Sequence, residues 1–385
     1  MTRDALRGTS AERVRTALST ADPLPGTGGF AGALDTDVTL TDGTVTGGRG
    51  GRVVCDVLGR EPVFVEPSGG NGAARWRFDP RRLDDPRLVE AGCVVDLATA
   101  RETRVWTLPD PAPETDRDAA VEAVREAVLD SVRAVSSDDL AVAFSGGVDS
   151  ALVASSVDAP CYVAGFPDSH DVAAARAAAA AMDRDLRVVS LSHDDIVRAV
   201  PDVVRATGRT NPMDVGIALP LYLVAERARA DGFSRLAVGQ GADELFGGYA
   251  KVVSPAEDPR VDADTVRGAR RETVETLPRQ LPRDVLTLRA AGVEPVAPFL
   301  HDRVVAAALA LPADLLATDE ERKVALRRAA EGVLPPDVVG ADKKAVQYGS
   351  LVSRELDRLA RQAGYKRRMD DHVGRYVRSL VDGDG

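Results

Sequence analysis

Lysine is scarce in this chain: five of its 49 basic residues, the other 44 being arginine. Cysteine is scarcer still, with Cys55, Cys93 and Cys161 standing far apart. That spacing suits neither a disulfide framework nor a metal cluster, and the four histidines are scattered too. No uncharged apolar run approaches the ~18 residues that cross a bilayer. No apolar stretch follows the first charges of Met1-Thr2-Arg3-Asp4, so the pattern of a secretory signal is missing. These absences predict a cytoplasmic protein without a membrane partner. A net charge of −11 excludes most nucleic-acid surfaces, because phosphates would be repelled over much of the protein. An acidic, lysine-poor composition fits solvation in concentrated salt, and codon bias in a GC-rich genome accounts for it equally well. Against that background the adjacent pair Lys343-Lys344 stands out.

The texture of the 385 residues changes along the chain. Residues 1–27 read as a helical leader, Ala5 to Leu18, ending in Pro23-Leu24-Pro25-Gly26. From Gly28, where the first sheet strand is expected, to about Trp106, short β-rich runs alternate with Gly, Asp and Ser turns. The prolines between Leu108 and Glu114 can continue neither strand nor helix and read as a linker. Beyond it Val121, Val124, Val128, Val132 and Val135 recur at helical spacing behind a capping-box start at Thr115…Asp118. Strand and helix patterns then alternate: strands at Leu140–Phe144, Tyr162–Phe166, Leu186–Leu191 and Arg235–Val238, helices near Ala151–Val157, Val172–Met182 and Val215–Ala230. Apolar runs of that length, separated by helices, predict a buried parallel sheet. From about Asp262 helical patterns dominate.

The densest chemical signal is Phe144-Ser145-Gly146-Gly147-Val148-Asp149-Ser150, placed where a buried strand gives way to a helix. At such a junction backbone N–H groups point outward and the helix dipole favours an anion. Two glycines let the backbone wrap phosphate oxygens, and two hydroxyls add donors. Asp149 repels phosphate, so its place among donors points to Mg²⁺. A second Gly-rich loop after a strand, Val238-Gly239-Gln240-Gly241-Ala242-Asp243-Glu244 and on to Tyr249, offers Asp243 as another carboxylate.

The first string resembles the pyrophosphate loop of ATPases that cleave ATP between the α- and β-phosphates. The second resembles the S-G-E-G-A-D-E-L-F-G-G-Y segment of the asparagine synthetases, departing from it at Val238 and Gln240. Lys323 with Leu326-Arg327 is similar to that family's K-x-x-L-R element, and Lys343 falls on its catalytic lysine. The resemblance covers most of residues 117–350. It implies an α/β fold in which residues 117–385 form a parallel-sheet, adenine nucleotide alpha-hydrolase-like domain with a helical C-terminal part. A smaller α+β domain, an N-terminal-nucleophile glutaminase gone degenerate, would occupy residues 28–108, with the linker at 109–116. It further implies ATP and Mg²⁺, with Asp149 and Asp243 on the metal. Gly165, Val238, Gly239, Lys323 and the loop 144–150 would lie on the nucleotide, and Lys343 and Gln240 at the reacting atoms. The implied reaction is adenylation of a small carboxylate, aspartate in the family, and then attack of ammonia or another amine; a homodimer is allowed.

Three departures bear on the second half of that reaction. Thr2 stands where the glutaminase needs a cysteine, which predicts no glutaminase activity. Gln240 replaces a glutamate, and an amide cannot take a proton; it could still orient substrate or donate a hydrogen bond to the adenylate. Val296 replaces an arginine, and His301 is inserted before Asp302. Two other readings are a pyrophosphate-loop enzyme of another class, such as a tRNA thiolase, and a non-catalytic nucleotide-binding descendant. The first needs a sulfur-relay cysteine and a basic RNA face, and Cys161 alone is a poor candidate for the relay. The second is opposed by Asp149, Asp243 and Lys343 all being present.

Overall fold

A computed structural model describes residues 5–34, 39–41, 44–46, 51–67, 73–341 and 350–383. Thr2, Lys343 and Lys344 lie outside the described residues. The chain divides into two units, the first made of Met1–Val124, Asp243–Pro282 and Leu300–Lys323, the second of Arg125–Ala242, Arg283–Phe299 and Val324–Gly385.

The first unit is built on an antiparallel sheet of β1 (Leu6–Arg7), β2 (Ala31–Leu34), β3 (Arg52–Cys55), β4 (Cys93–Asp96) and β5 (Arg101–Arg104), paired in that order. Along β4 buried and half-buried residues alternate, as a one-sided sheet requires. Val53, Cys55, Cys93 and Val95 pack with Val63 and with Val65 and Trp76 of a second, three-stranded sheet. The sheet therefore starts before Gly28, because β1 pairs with β2 through Leu6–Gly32 and Arg7–Ala31. The helix of the leader, α1 (Ala11–Thr20), is capped by Ser10.

Asp56 and Arg60 organise the turn that follows β3. Asp56 accepts from the backbone N–H groups of Phe30, Leu58 and Arg60 and from Arg60 Nε. The Arg60 guanidinium continues to Leu300 O and to Asp302 Oδ1, each at 2.7 Å. All three charged residues are buried. The inserted His301 caps the helix Asp302–Leu309, and Asp302 is shielded from solvent. The Pro-rich stretch is held as well: Arg271 donates to Leu108 O and Pro109 O, and Arg267 to Pro111 O. The next helix, α2 (Arg117–Arg133), is capped by Asp116, which accepts from the N–H groups of Asp118 and Ala119. The cap is thus one residue later than Thr115, because a carboxylate is the stronger acceptor at a helix start.

The second unit is an α/β layer structure. Its sheet holds β6 (Leu140–Ala143), β7 (Cys161–Gly165), β8 (Leu186–Ser190), β9 (Arg235–Ala237) and β10 (Glu294–Val296), all parallel, in the order β8-β7-β6-β9-β10. Between them run α3 (Val148–Ser155), α4 (His170–Ala181), α5 (His193–Thr207) and α6 (Pro212–Ala230). The parallel sheet is as expected; β10 is an added strand in a region whose sequence reads as helical. Three of the described helices have residues in both units: α2, α7 (Ala242–Phe246) and α8 (Leu277–Ala290). At the C-terminal end α9 (Val352–Gln362) and α10 (His372–Asp382) bury Val352, Leu356, Ala360, Tyr376 and Val377 in the core around α5 and α6. Among the described residues no helix is long and apolar enough to cross a membrane.

Candidate active site

In chain order the strands proceed from β6 outward to β8, then return to the other side of β6 with β9 and β10. The order reverses between β6 and β9, and in open α/β sheets ligands settle outside the carboxyl ends of the strands at such a reversal. The loops leaving those two ends are residues 144–147 and 238–241, which are the two Gly-rich strings of the sequence.

The first loop is shaped for an anion. Gly146 has φ +78°, and a Cβ there would meet Ala174 O at 2.6 Å. Only glycine fits both the left-handed backbone and the contact. Gly147 is the N-cap of α3 and supplies no side-chain cap, so the first N–H groups of α3 are not closed off by a capping side chain. Ser150 Oγ accepts from Ser145 N at 3.2 Å, lies 3.3 Å from Ser145 Oγ and donates to Gly147 O at 3.1 Å, which fixes the turn. Phe144 and Val148 are buried and anchor the loop on either side. Asp149 is buried in the first turn of α3.

The second loop lies against the first. A Cβ on Gly239 would sit 3.0 Å from Asp149 Cβ and 3.3 Å from Ser150 N, so glycine at 239 permits the close approach. Val238 is buried and donates its N–H to Val296 O. Gln240 donates through Nε2 to Asp284 of α8. Gly165 ends β7, where a Cβ would meet Ser169 Oγ at 2.3 Å. Its missing side chain makes room for the cap of α4, a packing role that the sequence does not separate from a nucleotide contact.

Asp243 and the residues after it in the motif belong to the first unit, where their pairing accounts for the string. Asp243 Oδ1 meets Lys323 Nζ at 2.5 Å, with Lys323 buried. A Cβ on Gly248 would clash with Asp243 Oδ1 at 2.1 Å and Lys323 Cε at 2.5 Å, so the glycine clears space for the pair. Tyr249 Oη donates to Glu244 Oε1 at 2.5 Å. Burial first, then the charge of Asp243, raises the Glu244 carboxyl to about 7. Leu245 and Phe246 are fully buried. The structure thus brings the residues of loop 144–150 together with Val238 and Gly239, and pairs Lys323 with Asp243. Asp284, as the partner of Gln240, has no sequence signal.

The donors suit a magnesium-bound phosphate. Mg²⁺ binds through one or two carboxylates and the nucleotide's own oxygens, and Asp149, a buried aspartate beside a Gly-rich loop, has the chemistry to serve as one of them. Among the described residues no three His, Cys, Asp or Glu side chains gather as an all-protein metal cage would need.

The Asparagine synthase family model matches residues 123–284 and 256–379. A putative asparagine synthetase [glutamine-hydrolyzing] 1 of Methanocaldococcus jannaschii is 28% identical over 281 residues, covering 63% of this chain and 52% of that protein. The asparagine synthetase [glutamine-hydrolyzing] of Gallus gallus is 29% identical over 227 residues, 53% of this chain and 38% of that protein. Asparagine synthetase B [glutamine-hydrolyzing] of Escherichia coli K12 is 24% identical over 190 residues, 49% and 34% respectively. The chain therefore spans about half the length, or less, of these curated relatives. With the family model matching well over half of its residues, and the glycine loops placed at the sheet's reversal point, the chain belongs to the asparagine synthase family.

Proposed function

We propose that the protein is a carbon–nitrogen ligase that uses ATP to adenylate a small carboxylate, aspartate first among the candidates, and passes the acyl group to ammonia or another amine. The observation that carries this reading is the pair of Gly-rich loops in contact at the carboxyl ends of β6 and β9.

In the first step a carboxylate oxygen bonds to the α-phosphorus, the bond to the β-phosphate's bridging oxygen breaks, and pyrophosphate leaves. The N–H groups at the start of α3 and the hydroxyls of Ser145 and Ser150 hold its oxygens. Asp149 and Asp243 are the carboxylates proposed to hold Mg²⁺, which when bound supplies positive charge to the pyrophosphate. Lys323 adds a buried cation beside Asp243, and Lys343 is proposed to meet charge at the α-phosphate. In the second step the amine nitrogen bonds to the acyl carbon, AMP leaves, and the nitrogen gives up a proton. The protein contributes position and charge, with no covalent intermediate of its own.

Free ammonia or an amine is the proposed nitrogen source. All three cysteines are buried, and burial raises the thiols of Cys55 and Cys93, and that of Cys161 to about 12. None is placed to serve as an exposed nucleophile toward glutamine. The reading is tested by phosphorus NMR of ATP, Mg²⁺ and ammonium with a panel of acids beginning with aspartate. AMP and pyrophosphate are expected; ADP and orthophosphate would refute it.

A further inference from the structure

Gln240 stands at the reversal point with its amide already committed on one side. Its Nε2 donates to Asp284 Oδ2. Asp284 is buried and gripped by its neighbour Arg283, from Nε to Oδ1 at 2.6 Å and from Nη2 to Oδ2 at 3.0 Å. Arg283 Nη1 then reaches Asp214 Oδ1 at 2.8 Å. Asp214 Oδ2 accepts from Arg209 at 3.0 Å and from Asn211 at 2.7 Å. Burial alone would pull the Arg283 guanidinium's pKa down, and the two aspartates overcome it and hold it above its ordinary value. The network of alternating charges runs from Arg209 to Asp284 and ends on Gln240.

This network decides which way the amide faces. A carboxylate gripped by a guanidinium accepts and does not donate, so only the NH₂ end of Gln240 can meet it. Among the described residues the carbonyl Oε1 makes no hydrogen bond, and the residue is partly exposed. A glutamate at 240 would set a second carboxylate against Asp284 at hydrogen-bond distance, and two such groups cannot both ionise without a large penalty.

We infer that Asp284 is a positioning residue that locks Gln240 with its carbonyl oxygen outward, as a neutral acceptor for the N–H groups of the incoming amine. The inference rests on the amide-forming reading above and adds the residue that selects its second substrate. It also accounts for the amide at 240: beside Asp284, glutamine can donate to the carboxylate and still present an acceptor, which a second carboxylate cannot do.

The test separates the two half-reactions in the full chain, with ammonium chloride as the amine and L-aspartate, then other acids, as the carboxylate. Exchange of labelled pyrophosphate into ATP reads adenylation; AMP release against ammonium reads the second step. In Asp284→Asn the partner can donate as well as accept, so the lock on the Gln240 amide is lost. The KM for ammonium should rise roughly tenfold, as for one hydrogen bond, while pyrophosphate exchange stays within about twofold. Gln240→Glu should add a new ionisation to the pH profile for ammonium, and adding Asp284→Asn should move it down toward the ordinary glutamate range. An unchanged ammonium KM in Asp284→Asn, or a Gln240→Glu profile superimposable on that of the unaltered protein, overturns the inference. If Asp284→Asn does not fold, the Gln240→Glu profile decides alone. If no acid supports pyrophosphate exchange in the unaltered protein, the adenylation reading falls and this inference with it.

Discussion

Gly146 is the residue where backbone conformation and crowding meet most sharply. Its φ of +78° disfavours any side chain, and a Cβ would press on Ala174 O at 2.6 Å and Ala174 C at 2.7 Å, both backbone atoms that cannot rotate away. Gly208, the C-cap of α5, has φ +68° but nothing within 4 Å of a Cβ. The two sites separate strain from collision. Gly208→Ala should cost about 1 kcal/mol of stability and leave pyrophosphate release unchanged. Gly146→Ala should cost more, and should slow pyrophosphate release roughly 10²-fold, because an anion loop displaced by a fraction of an ångström no longer places its donors. Thermal melts and a steady-state pyrophosphate assay on both variants make the comparison. Equal activity in the two would remove loop 144–150 from phosphate binding. Lys323 and Gln240 show what single positions conceal. A match to a short motif marks Lys323, yet its pairing with Asp243 depends on the room that Gly248 leaves. Gln240 meets a partner 44 residues away, which no local pattern announces.

At the scale of elements, strands buried on both faces were the legible ones. Leu140–Ala143 and Cys161–Gly165 are wholly apolar and short, so their sequence has one reading. The strands that escaped are those where the signal is too brief or contradicted. Two residues, Leu6–Arg7, cannot display an alternation. Glu294–Val296 carries Pro295, which is tolerated only because β10 lies at the sheet's edge. Pro201 inside α5 blurs its helical pattern in the same way. The prolines of Leu108–Pro111 mark a break in regular structure, but not that arginines of the helix Val266–Glu275 take their carbonyls. The C-terminal helix pair allows a prediction of its own. Asp357 of α9 accepts from Arg367 Nη2 at 2.7 Å, from His372 Nε2 of α10 at 2.8 Å and from Arg361 Nε at 3.0 Å. Hydrogen bonding to Arg367 leads, burial opposes it, and His372 and Arg361 add to it, so the carboxyl lies well below the usual range. A lowered pKa in the folded state stabilises above the unfolded value, about 3.9, and the contribution fades as pH falls below it. The arginines are largely exposed, so solvent screening holds the effect to about 1 kcal/mol. Asp357→Asn should lower stability by that amount at pH 7 and 5, and in denaturant unfolding the difference should begin to narrow only below about pH 4 and close as pH falls through the depressed folded value. A difference that stays constant as the pH is taken from 5 to about 2 would mean that packing, not charge, is lost.

The whole molecule carries 60 acidic and 49 basic side chains, so its net charge of −11 opposes folding at low ionic strength. Salt acts on this balance in two directions. It weakens arginine–carboxylate pairs such as Arg198–Glu226 and Arg354–Glu355, whose arginines are exposed. Pairs of that kind contribute about 0–1 kcal/mol each, and many contribute nothing measurable. It also screens the excess of negative charge, which acts over the whole surface and cannot be relieved by local pairing. The second effect should win. The melting temperature should therefore climb as KCl is raised from about 0.01 M to 0.15 M, over which the Debye length falls from about 30 Å to 8 Å. Behaviour beyond that range distinguishes the two origins of the composition. Screening is nearly complete by about 0.5 M, so an acidic surface produced by codon bias alone predicts a plateau. A surface whose carboxylates are hydrated in concentrated salt predicts a rise continuing into molar KCl. The near-absence of lysine, whose long apolar stem adds exposed hydrocarbon to a surface, favours the continuing rise, and we expect it. A control in molar guanidinium chloride at matched ionic strength should show no such gain, because that salt screens charge equally well while solvating apolar and peptide groups. A melting temperature that falls throughout the KCl series would mean that the arginine pairs outweigh the net charge.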